Sequence, residues 1–170
     1  MKELFLTYDD IHRLCQKVAK EITVDSWKPD CIVAIAGGGL IPARILRLFL
    51  EVPIYVISVR RYDDTKLVSQ VPQIMQWFDD PVQQVDGKRI LLVDEVDDTR
   101  VTLAFCAKKV LAENPASLRI AVLTQKQKPK DAELPEDVEK VYAAKIIDDL
   151  WVNHPWESQD IEKHNAGIRT

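Results

Sequence analysis

The chain is 170 residues long, 46% hydrophobic and 29% charged, with five glycines and nine prolines, which suits one globular domain with a core of its own. Its 23 basic and 27 acidic side chains leave a net charge of −4, a balance that announces neither a nucleic-acid face nor a membrane patch. Cys15, Cys31 and Cys106 are odd in number without a CxxC pair, and His12, His154 and His164 are scattered. Buried, reduced thiols in a cytoplasmic protein are therefore expected, rather than a disulfide framework or a zinc site. MKELFLTYDD has no apolar core of the signal-peptide kind, and no apolar run reaches the length of a membrane span.

No internal repeat or low-complexity linker interrupts residues 1–170, so a single domain is expected. Thr7 with Asp10 three residues later reads as a capping box, and Ile11, Leu14, Val18 and Ile22 recur behind it at helical spacing. Lys28-Pro29-Asp30 ends that helix. CIVAIA at 31–36 is apolar throughout, as a strand buried on both faces is. Three glycines follow, then a helix near 42–51 in which Pro42 is tolerable only in the first turn. IYVISV at 54–59 gives a second strand. Residues 60–86 read as polar and irregular, with room for a short element near 74–78, and a segment of that length in a compact domain is usually functional or mobile. RILLVD at 89–94 is a third strand and 101–113 a helix stopped by Asn114-Pro115. LRIAVLT at 118–124 and VYAAKII at 141–147 complete five strands. This alternation predicts an α/β fold, a mostly parallel twisted sheet flanked by helices on both faces. From Asp148 onward the chain is aromatic and polar without a clear period.

Asp94, Glu95, Asp97 and Asp98 crowd the exit of the third strand. In open α/β sheets ligands sit outside the carboxyl ends of the strands, and Gly37-Gly38-Gly39 closes another strand in the same way. On one reading the acids decorate a loop, and Asp98 or Thr99 caps the next helix. Four carboxylates exceed what a cap needs, and their repulsion raises at least one pKa unless cations or hydroxyl donors compensate. A ribose diol offers two donors, and magnesium adds charge compensation when it also holds a phosphate. The N–H groups that open the helix, with the hydroxyls of Thr99 and Thr102, form a phosphate cradle. Diol and then phosphate within a few residues is the footprint of a ribose 5-phosphate. The glycine run fails as a dinucleotide fingerprint, because Pro42 occupies the third glycine position, and no GK[ST] marks a P-loop.

VDEVDDTRVTL resembles the phosphoribosyl-pyrophosphate (PRPP) motif of type I phosphoribosyltransferases: a strand, two acids, two spacers, then Asp-Thr-Gly-x-Thr. AIAGGGLIPARIL resembles that family's pyrophosphate loop. LWVNHPWES is similar to the C-terminal purine-binding segment of its hypoxanthine–guanine and xanthine–guanine members. VDEVDDTR, QKQKPK and PWES together are most similar to the fungal-type hypoxanthine–guanine branch, and the resemblance runs from residue 8 to about 161. Two positions depart from the pattern. Arg100 stands where most relatives carry glycine, although the fungal-type branch shares the arginine. Gly37 stands where some bacterial relatives have a basic residue.

The resemblance implies a glycosyltransferase of purine salvage. It would displace pyrophosphate from C1 of PRPP with a ring nitrogen of hypoxanthine, guanine or xanthine, using Mg2+, to give the nucleoside 5′-monophosphate. Asp94 and Glu95 would take the ribose hydroxyls and, with Glu157, the metal. Asp98 matches the general base beside purine N7, a role that asks the site to lift its pKa towards neutrality, and it belongs to the PRPP motif too. Thr99, Arg100, Val101 and Thr102 would hold the 5′-phosphate, with the cradle either accepting the Arg100 Cβ or using its guanidinium. Gly37, Gly38 and Gly39 would bring main-chain N–H groups to pyrophosphate, helped by Arg60 or Arg61, and the Gly37–Gly38 bond matches a non-proline cis peptide of the family. Lys126, or Lys128 in a competing register, would donate to the 6-oxo group. Trp151 would stack on the base, and the Val152 backbone would meet its exocyclic edge. Core positions for Trp151 and Trp156 and a surface position for Glu157 stay open, and His154 reads as structural. Residues 60–86 would form a flexible hood, with Tyr62 and Asp63 matching its Tyr-Asp pair, and residues 148–170 the purine-binding segment. The assembly implied is a homodimer or homotetramer with no nucleic-acid or membrane partner. The competing reading is a PRPP- or nucleotide-sensing regulator on the same fold; such regulators usually carry a nucleic-acid-binding extension or a basic face, for which this acidic chain has little room.

Overall fold

The structure, a computed structural model, describes residues 2–62 and 68–169, and its elements follow the alternation read in the sequence. In order they are β1 (Glu3–Phe5), α1 (Tyr8–Val24), β2 (Cys31–Ala36), α2 (Leu40–Leu50), β3 (Ile54–Tyr62), β4 (Val68–Gln76) and α3 (Pro81–Gln84). The chain continues through β5 (Arg89–Asp97), α4 (Val101–Leu111), β6 (Ser117–Lys126), β7 (Val138–Ile147), β8 (Trp151–Asn153), a 3-10 turn at Pro155–Glu157 and α5 (Ile161–Asn165).

Six strands form one sheet in the order β4-β3-β2-β5-β6-β7, parallel throughout except where β4 runs antiparallel to β3 at the edge. The unbroken apolar runs have a direct cause: alternate side chains of each strand serve two separate cores. Ile32, Ala34, Leu91, Val93, Ala121 and Leu123 pack with α1 and α2, whereas Val33, Ile35, Leu92, Ile120 and Val122 pack with α4. Burying each of the valines, leucines and isoleucines contributes about 2 kcal/mol, so neither face tolerates a polar residue cheaply. The α1 capping box is present: the Asp10 carboxylate accepts from Thr7 N at 2.8 Å, and Thr7 Oγ1 accepts from Asp10 N at 3.2 Å. All three cysteines are buried and free of disulfides, as composition led us to expect. No helix among the described residues is long and apolar enough to cross a membrane.

From β2 the chain moves to β3 on one side and later returns to β5 on the other. The loops leaving β2 and β5 therefore diverge and open a crevice at the carboxyl ends of the strands, where this architecture places its ligands.

Three features differ from the sequence reading. The acids at 94–97 lie within β5 itself, because β6 pairs with it as far as Asp97 opposite Gln125. Residues 60–86 hold the end of β3, all of β4 and α3. Register shifts between Ser58 and Val59 and between Arg60 and Tyr62 break the period-two pattern, which hid these strands. Pro72, which cannot donate to a ladder, is accommodated because β4 is an edge strand. Finally, β1 pairs in parallel with β8, Leu4 opposite Val152, so the first residues of the chain hold the last segment in place. Asp63 lies outside the described residues, and of Tyr62 only the backbone is described.

Candidate active site

The crevice between the β2 and β5 loops is a cleft of about 270 Å3. Gly37 and Gly38 line one wall; Asp94, Glu95 and Asp98 line the other; Thr99, Arg100 and Thr102 close the end at the start of α4. Arg61 reaches in from β3 and donates from Nη1 to Thr99 Oγ1 at 3.2 Å. Its neighbour Arg60, next along β3, instead donates from Nε to Gln73 Oε1 across the β3–β4 pair at 3.3 Å. Of the two arginines the sequence offered, Arg61 is thus the one at the cleft.

The three glycines divide their work. A Cβ on Gly37 would meet nothing within 4 Å, while one on Gly38 would strike the Glu95 carboxylate. Gly39 sits deeper, where a Cβ would collide with the carbonyl oxygens of Val93 and Ile35. Its N–H is already given to Ile35 O at 3.0 Å, so Gly39 is a close-packing glycine at the start of α2 rather than an N–H donor to the cleft. The non-proline cis peptide is Ala36–Gly37, one bond earlier than the resemblance placed it.

Arg100 has φ 71°, in the left-handed region, which explains why glycine suits this position in relatives. Its guanidinium serves the fold: Nη2 donates to Asp97 Oδ2 at 2.6 Å and Nε to the same carboxylate at 3.2 Å. Val101 is the first residue of α4 and faces an apolar groove beside Phe105 and Leu134, leaving only its backbone available to a phosphate.

The crowding of acids resolves into two pairs with opposite electrostatics. Asp97 is 1% exposed and compensated by Arg100, by Gln125 Nε2 at 3.1 Å and by Lys130 at 3.5 Å. Asp98 pairs with Lys126 at 2.7 Å and Lys128 at 2.5 Å. Burial pushes the Asp98 carboxyl up, but the hydrogen bonds from the two lysines outweigh it and hold it below the usual carboxylate range. The two lysines therefore set Asp98 in the direction opposite to the one expected of a poised base. Among the described residues Asp94 has no such cation. Burial, and then the Glu95 charge beside it, push its carboxyl well above the ordinary value, and Glu95 Oε2 is buried without a hydrogen-bond partner among the described residues. One pair of acids is neutralised by side chains around it; the other, among the described residues, is not.

A second pocket of about 150 Å3 adjoins the cleft. Lys126, Trp151, Val152, His154 and Glu157 line it, with Glu95, Val96 and Asp98 as the shared floor. Lys126 is 6% exposed and faces this pocket, whereas Lys128 does not line it and pairs with Asp149 at 3.1 Å. Trp151 is 46% exposed, which leaves much of its indole open to a planar ligand. In β8, Trp151 N donates to Lys2 O and Asn153 O accepts from Leu6 N, so the N–H and C=O of Val152 between them point away from β1. His154 is buried and stacked on Trp156, ring centroids 4.6 Å apart, in keeping with a structural role. Burial pushes the Glu157 carboxyl up, and Glu95 adds to the effect, so these two acids sense each other across the pocket.

Sequence reading passed over two parts of the site. Lys130 donates to three main-chain carbonyls at the acid turn, and β1 seats the Trp151 segment. Neither has a local signature: the first is one lysine among several in QKQKPK, the second a three-residue strand whose partner is some 150 residues away.

Comparison with known proteins bears on the same residues. The phosphoribosyl transferase domain family matches residues 6–159. Xanthine phosphoribosyltransferase 1 of Saccharomyces cerevisiae is 38% identical, over 96% of this chain and 93% of that protein. The hypoxanthine-guanine phosphoribosyltransferase of Schizosaccharomyces pombe is also 38% identical, over 97% and 94%. Among solved structures, a hypothetical protein from Neisseria gonorrhoeae with bound ppGpp superposes with a TM-score of 0.88 at 41% identity, covering 97% of this chain and 94% of that one.

Proposed function

The chain belongs to the phosphoribosyltransferase family, and from that premise we propose how its residues act. It is an enzyme of purine salvage that joins a 6-oxopurine to the phosphoribosyl group of PRPP. The observation that carries the residue assignments is the junction of the two pockets. They share Glu95, Val96 and Asp98, so a nucleotide laid across both has its sugar–base bond beside Asp98.

In this reading the 5′-phosphate lies against Thr99 to Thr102, accepting from the two hydroxyls and from the N–H groups that open α4. Asp94 and Glu95 accept from the ribose hydroxyls and face a sugar ring that becomes electron-poor during transfer. Gly37, Gly38 and Arg61 receive the diphosphate. Mg2+ fits the donor set: Asp94 without a cation and Glu95 with an orphaned oxygen are hard ligands, with Glu157 across the pocket. Among the described residues no three metal-ligating side chains converge. An ion held by these residues would supply charge neutralisation for the diphosphate leaving group.

The transfer forms a bond from one nitrogen of the purine's five-membered ring to C1 as the bond from C1 to the diphosphate oxygen breaks, and the proton on the other nitrogen of that ring, N7, passes to Asp98. Paired with both lysines, Asp98 is quenched. A 6-oxo oxygen that accepts from Lys126 draws that ammonium away, and a carboxylate that loses a neighbouring cation binds a proton more readily. The 6-amino group of adenine cannot accept, so it leaves Asp98 paired. Trp151 stacks on the base and the Val152 backbone meets its exocyclic edge. The hood expected at 60–86, of which residues 63–67 lie outside the described residues, would close over the reacting atoms and keep water from PRPP. The family likeness also carries a homodimer or homotetramer and a cytoplasmic location into this reading; Leu48 and Phe49, exposed on α2, give self-association an apolar surface.

The test is a spectrophotometric assay with PRPP and Mg2+, offering hypoxanthine, guanine, xanthine and adenine separately. Turnover of at least one 6-oxopurine with adenine inert is the expected result, and equal inactivity with all four sinks the reading. A second reading, an effector site for a purine nucleotide, draws on the gonococcal structure with bound ppGpp. Inhibition by ppGpp competitive with PRPP places both roles at one site, and binding of ppGpp without any transferase activity favours the regulator.

A further inference from the structure

Lys130 stands outside both pockets, yet its ammonium is fully engaged. Nζ donates to the carbonyls of Asp97 and Asp98 at 2.8 Å each and of Lys126 at 2.9 Å, and lies 3.5 Å from Asp97 Oδ1. Three donors meet three acceptors, in a side chain only 10% exposed. The acceptors come from two strands that have just parted. The last rung of the β5–β6 ladder joins Asp97 to Gln125, and the next residue on each strand is Asp98 and Lys126. Beyond that rung the loop carrying Lys130 folds back between the strand ends, pinned by Gln127 N to Ile147 O at 2.7 Å and by Asp131 N to Thr99 O at 3.0 Å.

We infer that Lys130 is a positioning residue, an ammonium clamp that replaces the ladder where it ends and sets the main chain of Asp98 against that of Lys126. The consequence is visible in the side chains, which meet at 2.7 Å between Asp98 Oδ2 and Lys126 Nζ. The inference rests on the function proposed above and extends it: the proton acceptor and the reader of the 6-oxo group share one support, which touches no substrate. A flexible turn there would let the two drift, and about 1 Å of misplacement costs on the order of 100-fold in rate.

The experiment compares wild type, Lys130→Met and Lys130→Arg by steady-state kinetics with each substrate varied and by thermal unfolding. Arginine keeps a cation opposite Asp97, but its planar fork cannot converge on three carbonyls. For both variants kcat falls on the order of 100-fold and KM for the 6-oxopurine rises, while KM for PRPP stays within about threefold of wild type. Lys130→Arg recovers more of the melting temperature than of kcat. A residue that merely braces the fold lowers the melting temperature and leaves kcat and the base KM alone, and that outcome in either variant overturns the proposal. Should Lys130→Met fail to fold, Lys130→Arg decides alone: wild-type kcat there ends it. A wild type inactive with every base removes the function reading and this inference together, whereas an active wild type with unimpaired variants removes this inference only.

Discussion

The acids at the exit of β5 show how neighbours of one chemical type acquire different work. Asp98 is accompanied by two lysines; Asp94 is buried beside another acid. Replacing Asp98 by Asn keeps the shape but removes the proton acceptor. We expect kcat to fall about 100- to 10,000-fold while PRPP affinity, measured by titration, stays within about threefold; equal losses in both would make Asp98 a binding or structural residue. Asp94 predicts a trade of stability against binding. Its carboxyl titrates above the ordinary value in the folded state, so between those two pH values folding takes up a proton and stability falls as pH rises. Asp94→Asn removes that penalty. The variant should therefore be more stable than wild type by about 1 kcal/mol near neutrality, with the advantage shrinking as pH falls and gone below roughly pH 4, where both states of the wild type come to hold the proton, and it should no longer bind PRPP. Unfolding curves across that range check the sign, and an advantage that grows on acidification contradicts it.

At the scale of elements, the two loops of the crevice obey different constraints. Gly39 is held by carbonyls that cannot retreat, since a Cβ would lie 2.7 Å from Ile35 O, whereas Gly37 opens onto space. Gly39→Ala should cost about 3 kcal/mol and Gly37→Ala less than about 0.5 kcal/mol in urea unfolding, so similar losses would mean that packing does not separate them. On the other loop, Arg100 occupies a left-handed position that costs about 1 kcal/mol, yet it supplies the closest cation to a fully buried Asp97. Arg100→Gly relieves the first and loses the second; with Gln125 and Lys130 still in place, a net loss of about 2 kcal/mol is expected, and a stabilised variant would show that the ion pair contributes nothing. Which elements could be read from sequence follows the same physics. The strands at 31–36, 89–94 and 118–124 were legible because burial on two faces demands continuous apolar residues. α1 was legible because its cap and its apolar stripe agree. β4 was not, because its pairing is irregular and at an edge, and β1 was not, because only distant β8 gives it a reason to be extended. At the site, the acids and glycines announce themselves by type and spacing, whereas the work of Arg100 and Lys130 depends on which carboxylate or carbonyl the fold brings within 3 Å.

For the molecule as a whole, one ligand must bridge parts that the chain holds by separate means. The phosphate end of the cleft belongs to β5 and α4 in the main sheet, while Trp151 and Val152 belong to the small β1–β8 sheet at the chain's two ends. Ribose 5-phosphate reaches only the first; a purine nucleoside monophosphate reaches both. Each ligand stabilises the folded state by about 2.7 kcal/mol at 100 times its own dissociation constant, equivalent to roughly 5 to 10 °C for a chain of this size. The distinction lies in where protection from amide exchange appears. Ribose 5-phosphate should slow exchange at residues 99–103 alone, and the nucleotide should slow it there and at 151–153. Trp151→Ala should weaken the nucleotide by about 1 to 3 kcal/mol and leave ribose 5-phosphate unchanged, because the indole has no part in the phosphate cradle. If both ligands weaken together in that variant, the small sheet supports the whole cleft, and the division of labour between the two sheets is wrong.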